Sequence, residues 1–297
     1  MQLQKATRRQ SKIKLSLSGS SGSGKTYSAL LLAYGLCSDW SKIAVIDSEN
    51  SSASLYAHLG AYQVVNLNAP FSPESYIDAI ALCERSGIDV IIIDSASHEW
   101  NGKGGCLDLH EKETSRMRIP NSFTAWASIT PRHQAFVDAI IQSQCHIISN
   151  IRSKTEYVVT ERNGRQVPQK VGMAPITRDG FEFEVSIHFE LDHEHKAFCS
   201  KDRTGLFMDK EPFIISPNTG IRILDWCNSS EAISSADVTT RINGCKTLNE
   251  LLQVYKEYPQ FKQSLLTEFE NRKRHLILNH NSQTQLPKES INENGAN

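Results

Sequence analysis

A mixed α/β fold is predicted for this 297-residue chain: a mostly parallel central sheet, antiparallel strands at one edge, and a small helical C-terminal appendage. Three observations predict it. Short apolar runs alternate with helical patterns through the first half, the order that builds parallel strands joined by right-handed crossovers. Beyond residue 150 the apolar residues alternate around Asn163-Gly164, a strong hairpin signal. Residues 247–277 then carry helical periodicity broken near Pro259.

Taken in order, "KIKLSLSGSSGSGKTYSALLLAYGL" reads as a short strand, a Gly/Ser loop and an amphipathic helix. "KIAVIDSEN" and "YQVVNLN" are the second and third strands, and "SPESYIDAIALCERSG" is a helix with Ser72 as cap and Pro73 at its first position. "DVIIIDSAS" is a continuous apolar run of the kind buried inside parallel sheets. A polar stretch follows, then a helix in "PRHQAFVDAIIQSQ" and a fifth strand in "HIISNIR". "FEFEVSIHFELDHEHKAFCSKD" reads as two more strands joined at "DHEHK". These elements divide the chain into a basic arm at 1–12, a core at 13–228, a helical region at 229–279 and a disordered polar tail at 280–297. The arm has two readings, packing on a neighbouring subunit or simple disorder.

Composition excludes several classes. With 39% hydrophobic and 22% charged residues the chain is ordinary for a soluble protein, and no apolar run approaches a membrane span. The polar N-terminus lacks a signal-peptide core, so the expected compartment is the cytoplasm. Seven scattered cysteines without a CxxC pair read as reduced thiols. A net charge of −1 carries no whole-chain signal for nucleic acid, so any such binding must come from local basic patches.

The chemistry begins at Gly19-Ser20-Ser21-Gly22-Ser23-Gly24-Lys25-Thr26, which completes G-x-x-x-x-G-K-[ST] between a strand and a helix. Glycines let backbone N–H groups wrap phosphates, the helix N-terminus adds its positive end, and Lys25 reaches the outer phosphates. The Thr26 hydroxyl ligates Mg²⁺, and Tyr27 closes the predicted binding set. Asp94 ends the "VIIID" strand, where a carboxylate can hold the magnesium through water. The implied cofactors are ATP and Mg²⁺.

The order of these parts resembles the RecA superfamily, and most of all the short, phage-type RecA-like ATPases grouped with single-strand annealing recombinases (the Sak group), over roughly residues 12–210. The resemblance implies a RecA-like P-loop ATPase core. It also implies that Glu49, two residues beyond the strand-ending Asp47, polarises the attacking water. Many other P-loop motors carry a glutamate directly after the metal-binding aspartate; Ser95 stands there instead, which leaves Glu99 as the alternative. Asn150, at the end of the fifth strand, takes the place of the polar amide that senses the γ-phosphate. The mobile DNA-binding loop then falls on 151–180, with Arg152, Lys154, Arg162, Arg165, Lys170, Arg178 and Tyr157 suited to single-stranded DNA. A charged surface hairpin is the competing reading of that segment.

"SKDRTG" carries Lys201 and Arg203 at i, i+2, on one face of a strand. In RecA-like and DnaB-like assemblies such a Lys-x-Arg pair reaches the ATP of the adjacent subunit. The resemblance therefore implies a homo-oligomer, ring or filament, with single-stranded DNA and a single-strand-binding protein as partners. The chain departs from long bacterial RecA in lacking its large C-terminal domain, so annealing or loading fits better than unaided strand exchange. A ring helicase or helicase loader shares every nucleotide-site residue, and a nucleotide-regulated adaptor is the non-motor alternative. His193 and His195 have the spacing of a metal pair but no clear third ligand, and read as surface histidines. His98 beside Glu99 either couples to the nucleotide site or simply packs, and Tyr27, Tyr34 and Tyr56 are not assigned to the adenine.

Overall fold

Alternate residues of a buried strand face opposite sides of a sheet, so a strand apolar at every position requires helices on both sides. The computed structural model describes residues 12–162, 165–228 and 235–283. The expected arm at 1–12, apart from its last residue, and the tail beyond 283 lie outside these residues. The chain divides into two compact units, the larger ending at Asn228 and the smaller continuing from Ser229.

The larger unit runs β1 (Lys14–Gly19), α1 (Lys25–Cys37), β2 (Ile43–Asp47), β3 (Gln63–Asn66), α2 (Pro73–Arg85) and β4 (Val90–Asp94). It continues with α3 (Ser97–Asn101), α4 (Cys106–Arg116), α5 (Ser122–Gln142), β5 (His146–Arg162) and β6 (Arg165–Pro175). It closes with α6 (Phe181–Glu184), β7 (Ile187–Leu191), β8 (Lys196–Asp202), β9 (Phe213–Ile214) and α7 (Pro217–Asn228). Among the described residues nine strands form the sheet, in the order β3-β2-β4-β5-β1-β7-β8-β9, with β6 paired to the outer part of β5. Strands β3 through β7 in that order are parallel, and β8 and β9 add antiparallel strands at one edge.

The strand pleat divides the apolar residues cleanly. Val45, Ile92 and Ile148 face one core with Leu30 and Leu36 of α1 and Ile223 of α7. Ala44, Ile46, Ile91, Ile93 and Ile147 face the other, with Tyr76 and Ile80 of α2 and Phe136 and Ile140 of α5. Each such side chain contributes about 1.5–3 kcal/mol on burial, so both layers hold the sheet rigid beneath its loops.

Four local expectations are revised. Helix α1 is not amphipathic: Ser28, Ala29, Leu30, Leu32, Ala33 and Leu36 are all buried, because α7 covers the face turned from the sheet. The polar stretch between Glu99 and Pro120 is largely helical, as α3 and α4. Helix α5 begins nine residues before Pro131, with Asn121 accepting from the Thr124 N–H as its cap. Pro131 leaves the Ala127 carbonyl without its usual donor, and both residues are exposed, so water can serve it. The "FEFE" run, alternating like a strand, is the single helical turn α6, entered through Gly180 at φ 95°. By contrast, α2 starts at Pro73, with Ser72 capping the Ser75 N–H.

In the smaller unit α8 (Ser235–Gly244), α9 (Leu248–Glu257) and α10 (Leu266–Gln283) enclose Val238, Ile242, Leu251, Tyr258 and Phe269. The break near Pro259 is a short 3₁₀ turn, and α10 runs three residues past the expected start of the tail. Among the described residues no helix is long and apolar enough to cross a membrane.

Candidate nucleotide site

Parallel strands that share a register release their following loops along one edge of the sheet, and this edge gathers the chemistry. Asn150 of β5 pairs with Leu17 of β1 on one side and with Asp94 of β4 on the other, and Asp94 pairs with Asp47 of β2. The loops carrying residues 20–24, Glu49 and Ser95 therefore leave the sheet at one level.

The loop after β1 turns on Gly22 and Gly24, at φ 82° and 87°, conformations that side-chain-bearing residues rarely adopt. Lys25, the first residue of α1, is buried and folds back to donate to the carbonyls of Gly19 (3.0 Å) and Ser20 (2.8 Å). Burial lowers its pKa, opposed by the charges of Asp94 and Glu49. Thr26 Oγ1 donates to Asp94 Oδ2 at 2.7 Å. Asp94 is almost fully buried, and this pushes its pKa up to about 6, against the stabilising contacts of Thr26 and Asn150. A hydroxyl and a carboxylate side by side form the hard oxygen pair that suits magnesium, so the residues present fit that ion.

Asn150 is completely buried, and neither atom of its amide meets a hydrogen-bond partner, though it lies close enough to Asp94 to favour the carboxylate. An orphaned buried amide beside a phosphate loop is an unusual cost, of about 1–3 kcal/mol, and a ligand oxygen would remove it. Ser23 Oγ is likewise buried and unpaired.

Asp47 fixes the turn that presents Glu49. Its two carboxylate oxygens accept from the N–H groups of Glu49 and Ala53, each at 2.7 Å. The Glu49 side chain then meets Arg152, whose Nε lies 2.7 Å from Oε1. Arg152 stands at the level of Gly19 in the β1–β5 register, so its side chain turns into the nucleotide site. Its guanidinium therefore pairs with Glu49 at the root of the hairpin expected to face DNA, while staying partly exposed. His98 accepts from or donates to Ser48 Oγ at 2.9 Å, and its pKa is lowered by burial and by the nearby Arg152 charge.

Glu99, the alternative to Glu49, is fully buried and turned elsewhere. Cys106 donates to it at 3.0 Å and His133 Nδ1 lies 3.1 Å from both oxygens, so α3, α4 and α5 are tied together through its carboxylate. The side chains of Arg162, Arg165 and Lys170, and the Tyr157 ring, lie outside the described residues; their backbone forms the β5–β6 hairpin, Arg162 opposite Arg165. Lys154 and Arg178 line an open groove of about 1290 Å³ with Trp100, Trp126 and Phe123. Trp126 stacks between Trp100 and His110, and Phe123 is 90% exposed. Nothing in the spacing of these aromatics marks them in the sequence; α4 and α5 bring them beside the hairpin.

Lys201, on β8, and Arg203, just past it, do share a face. Both donate to one acceptor, the Phe183 carbonyl, Arg203 at 3.2 Å. Lys201 pairs with His188, three strand positions from Leu191 at the phosphate-loop edge, so in its own chain it sits back along the sheet from the phosphate loop. Tyr27 is partly exposed and tilts against Tyr56 with ring centres 6.0 Å apart. His193 and His195 are exposed surface residues, as expected, and their rings also reach the phosphate loop at Ser20 and Ser23.

Residues 11–211 match the family described as "AAA domain". Among solved structures the chain is similar to a KaiC-like protein from the hyperthermophilic archaeon Pyrococcus horikoshii OT3. The two are 14% identical, the match covers 69% of this chain and 87% of that one, and the TM-score is 0.39. No curated protein matches the sequence.

Proposed function

Because the chain belongs to the AAA domain family, a P-loop ATPase family, we propose that it hydrolyses ATP in an oligomer and couples turnover to single-stranded DNA, as a recombination or annealing ATPase. One observation carries this reading. The acid suited to polarise water, Glu49, is ion-paired to Arg152 at the root of the β5–β6 hairpin. A ligand that shifts the hairpin thereby changes the charge and position of the Glu49 carboxylate.

In this mechanism the backbone of residues 20–24 and the N-terminus of α1 bind the phosphates, and Lys25 leaves the Gly19 and Ser20 carbonyls for the outer phosphates. Thr26 and Asp94 would hold magnesium, which when bound supplies charge neutralisation on the phosphate oxygens. Freed from Arg152, Glu49 orients water and takes its proton, and the unpaired Asn150 amide reads the terminal phosphate. Lys201 and Arg203 serve a neighbouring subunit: two cations sharing one neutral carbonyl repel each other, and an added anion relieves that repulsion.

The reading is tested by ATP turnover with and without single-stranded DNA across protein concentration at low salt. Stimulation by DNA and a rate per subunit that rises with concentration are expected. Turnover indifferent to DNA removes the recombination reading, and unwinding of a forked duplex replaces it with a helicase.

A further inference from the structure

The turn between β7 and β8, Asp192–Lys196, lies beside the phosphate loop for a topological reason. β7 pairs in parallel with β1, Leu191 opposite Gly19, so the loops following the two strands leave the sheet together. His195 Nδ1 lies 3.1 Å from the Ser23 carbonyl oxygen, across 172 residues of sequence. A carbonyl only accepts, so this nitrogen carries the proton. His193 Nδ1 reaches Ser20 Oγ at 3.5 Å, a weaker second grip.

We infer that this turn is a wall of the nucleotide site and that His195 is a positioning residue for the phosphate loop. The inference rests on the ATPase reading above. Ser23 lies between the two positive-φ glycines, where the loop is most free to rotate. In a planar trans peptide the C=O and the following N–H point in opposite directions. Holding the Ser23 carbonyl toward His195 therefore aims the Gly24 N–H the other way, as a backbone anion nest requires.

Two further details fit a built contact. His195 itself adopts φ 63°, rare for a residue with a side chain, in a turn locked by Asp192 Oδ1, which accepts from the Glu194 and Lys196 N–H groups at 2.8 Å each. A Cβ added to Gly24 would come within 3.0 Å of His195 Nδ1, so the third loop glycine also makes room for the imidazole.

The test compares wild type, His195→Ala and His195→Asn, whose amide nitrogen can donate much as Nδ1 does. The readouts are the dissociation constant for Mg-ATP, kcat, KM, and melting temperature without nucleotide. His195→Ala should weaken ATP binding about fivefold to tenfold, the scale of one hydrogen bond, and raise KM more than it lowers kcat. His195→Asn should restore affinity to within about twofold, with both variants melting near wild type. Alanine binding ATP as wild type does, or asparagine failing to rescue while both melt normally, overturns the positioning role. Wild type that binds no ATP overturns the ATPase reading itself, a separate result read before any variant is made.

Discussion

The phosphate edge and the Lys201–Arg203 face differ in how their charges are met. Along the phosphate edge Thr26 serves Asp94, Arg152 serves Glu49, and Lys25 serves two carbonyls, so the charged groups find partners within one chain. At the other face two cations crowd one carbonyl, with Glu182 and Glu184 near enough to act on Lys201 but not ion-paired to it among the described residues. The difference teaches where an outside group belongs. Apart from the unpaired Asn150 amide and Ser23 hydroxyl, the first site is satisfied and needs only its substrate, whereas on the proposed reading the paired cations, with one neutral acceptor, meet an anion bound by a second subunit.

The largest effect should come from breaking the second region. Arg203→Ala or Lys201→Ala is expected to lower turnover about 10³-fold, the scale of a cation supplied in trans, with ATP binding by the isolated subunit unchanged. Mixing either variant with Lys25→Ala should recover activity; no recovery at any ratio removes the trans assignment.

Breaking the first region comes next. Glu49→Gln should cost about 10²-fold or more in kcat with little change in ATP affinity, the loss expected for a general base. An unchanged kcat would favour the adaptor alternative.

Asp94 sharpens the comparison through pH. Its folded pKa is raised from 3.8 to about 6, so the fold disfavours the charged form. The resulting destabilisation is fully present above pH 6 and disappears as pH falls through the unfolded value near 4. Asp94→Asn should therefore stabilise the metal-free protein at pH 7, by on the order of 2–3 kcal/mol, with the gain vanishing towards pH 4. Denaturant melts of the metal-free protein across pH 4–8 check this.

The smallest effect is at the link between Glu49 and the hairpin. Both side chains are partly exposed, so the pair contributes modestly. Arg152→Ala should raise basal turnover a few-fold and reduce its response to DNA, read in the same ATPase assay. An unchanged DNA response would disconnect the hairpin from Glu49.

The legibility of the fold followed the range of its interactions. The phosphate loop, the "VIIID" strand and the Ser72-Pro73 helix start depend on residues within one or two turns of each other, and each was readable. The late strands were harder. "FEFE" alternates over only four residues, too few to separate a strand from one helical turn. Pro131 looked like a helix start because local rules penalise it inside a helix, yet exposure of the preceding turn lets water serve the freed carbonyl. In the site, Arg152 read as one of six similar cations, since only its register opposite Gly19 turns it toward Glu49.

Sequence alone determined the mixed α/β architecture with its mostly parallel sheet, and the phosphate-loop motif between strand and helix, because apolar periodicity and glycine chemistry act locally. Tertiary structure decided which of two acids faces the site: Glu49 is presented by Asp47, while Glu99 is sequestered by Cys106 and His133. It also decided that two histidines remote in sequence lie on the phosphate loop. Those outcomes depend on strand order and register, which bring together side chains more than a hundred residues apart, and no short-range pattern encodes them.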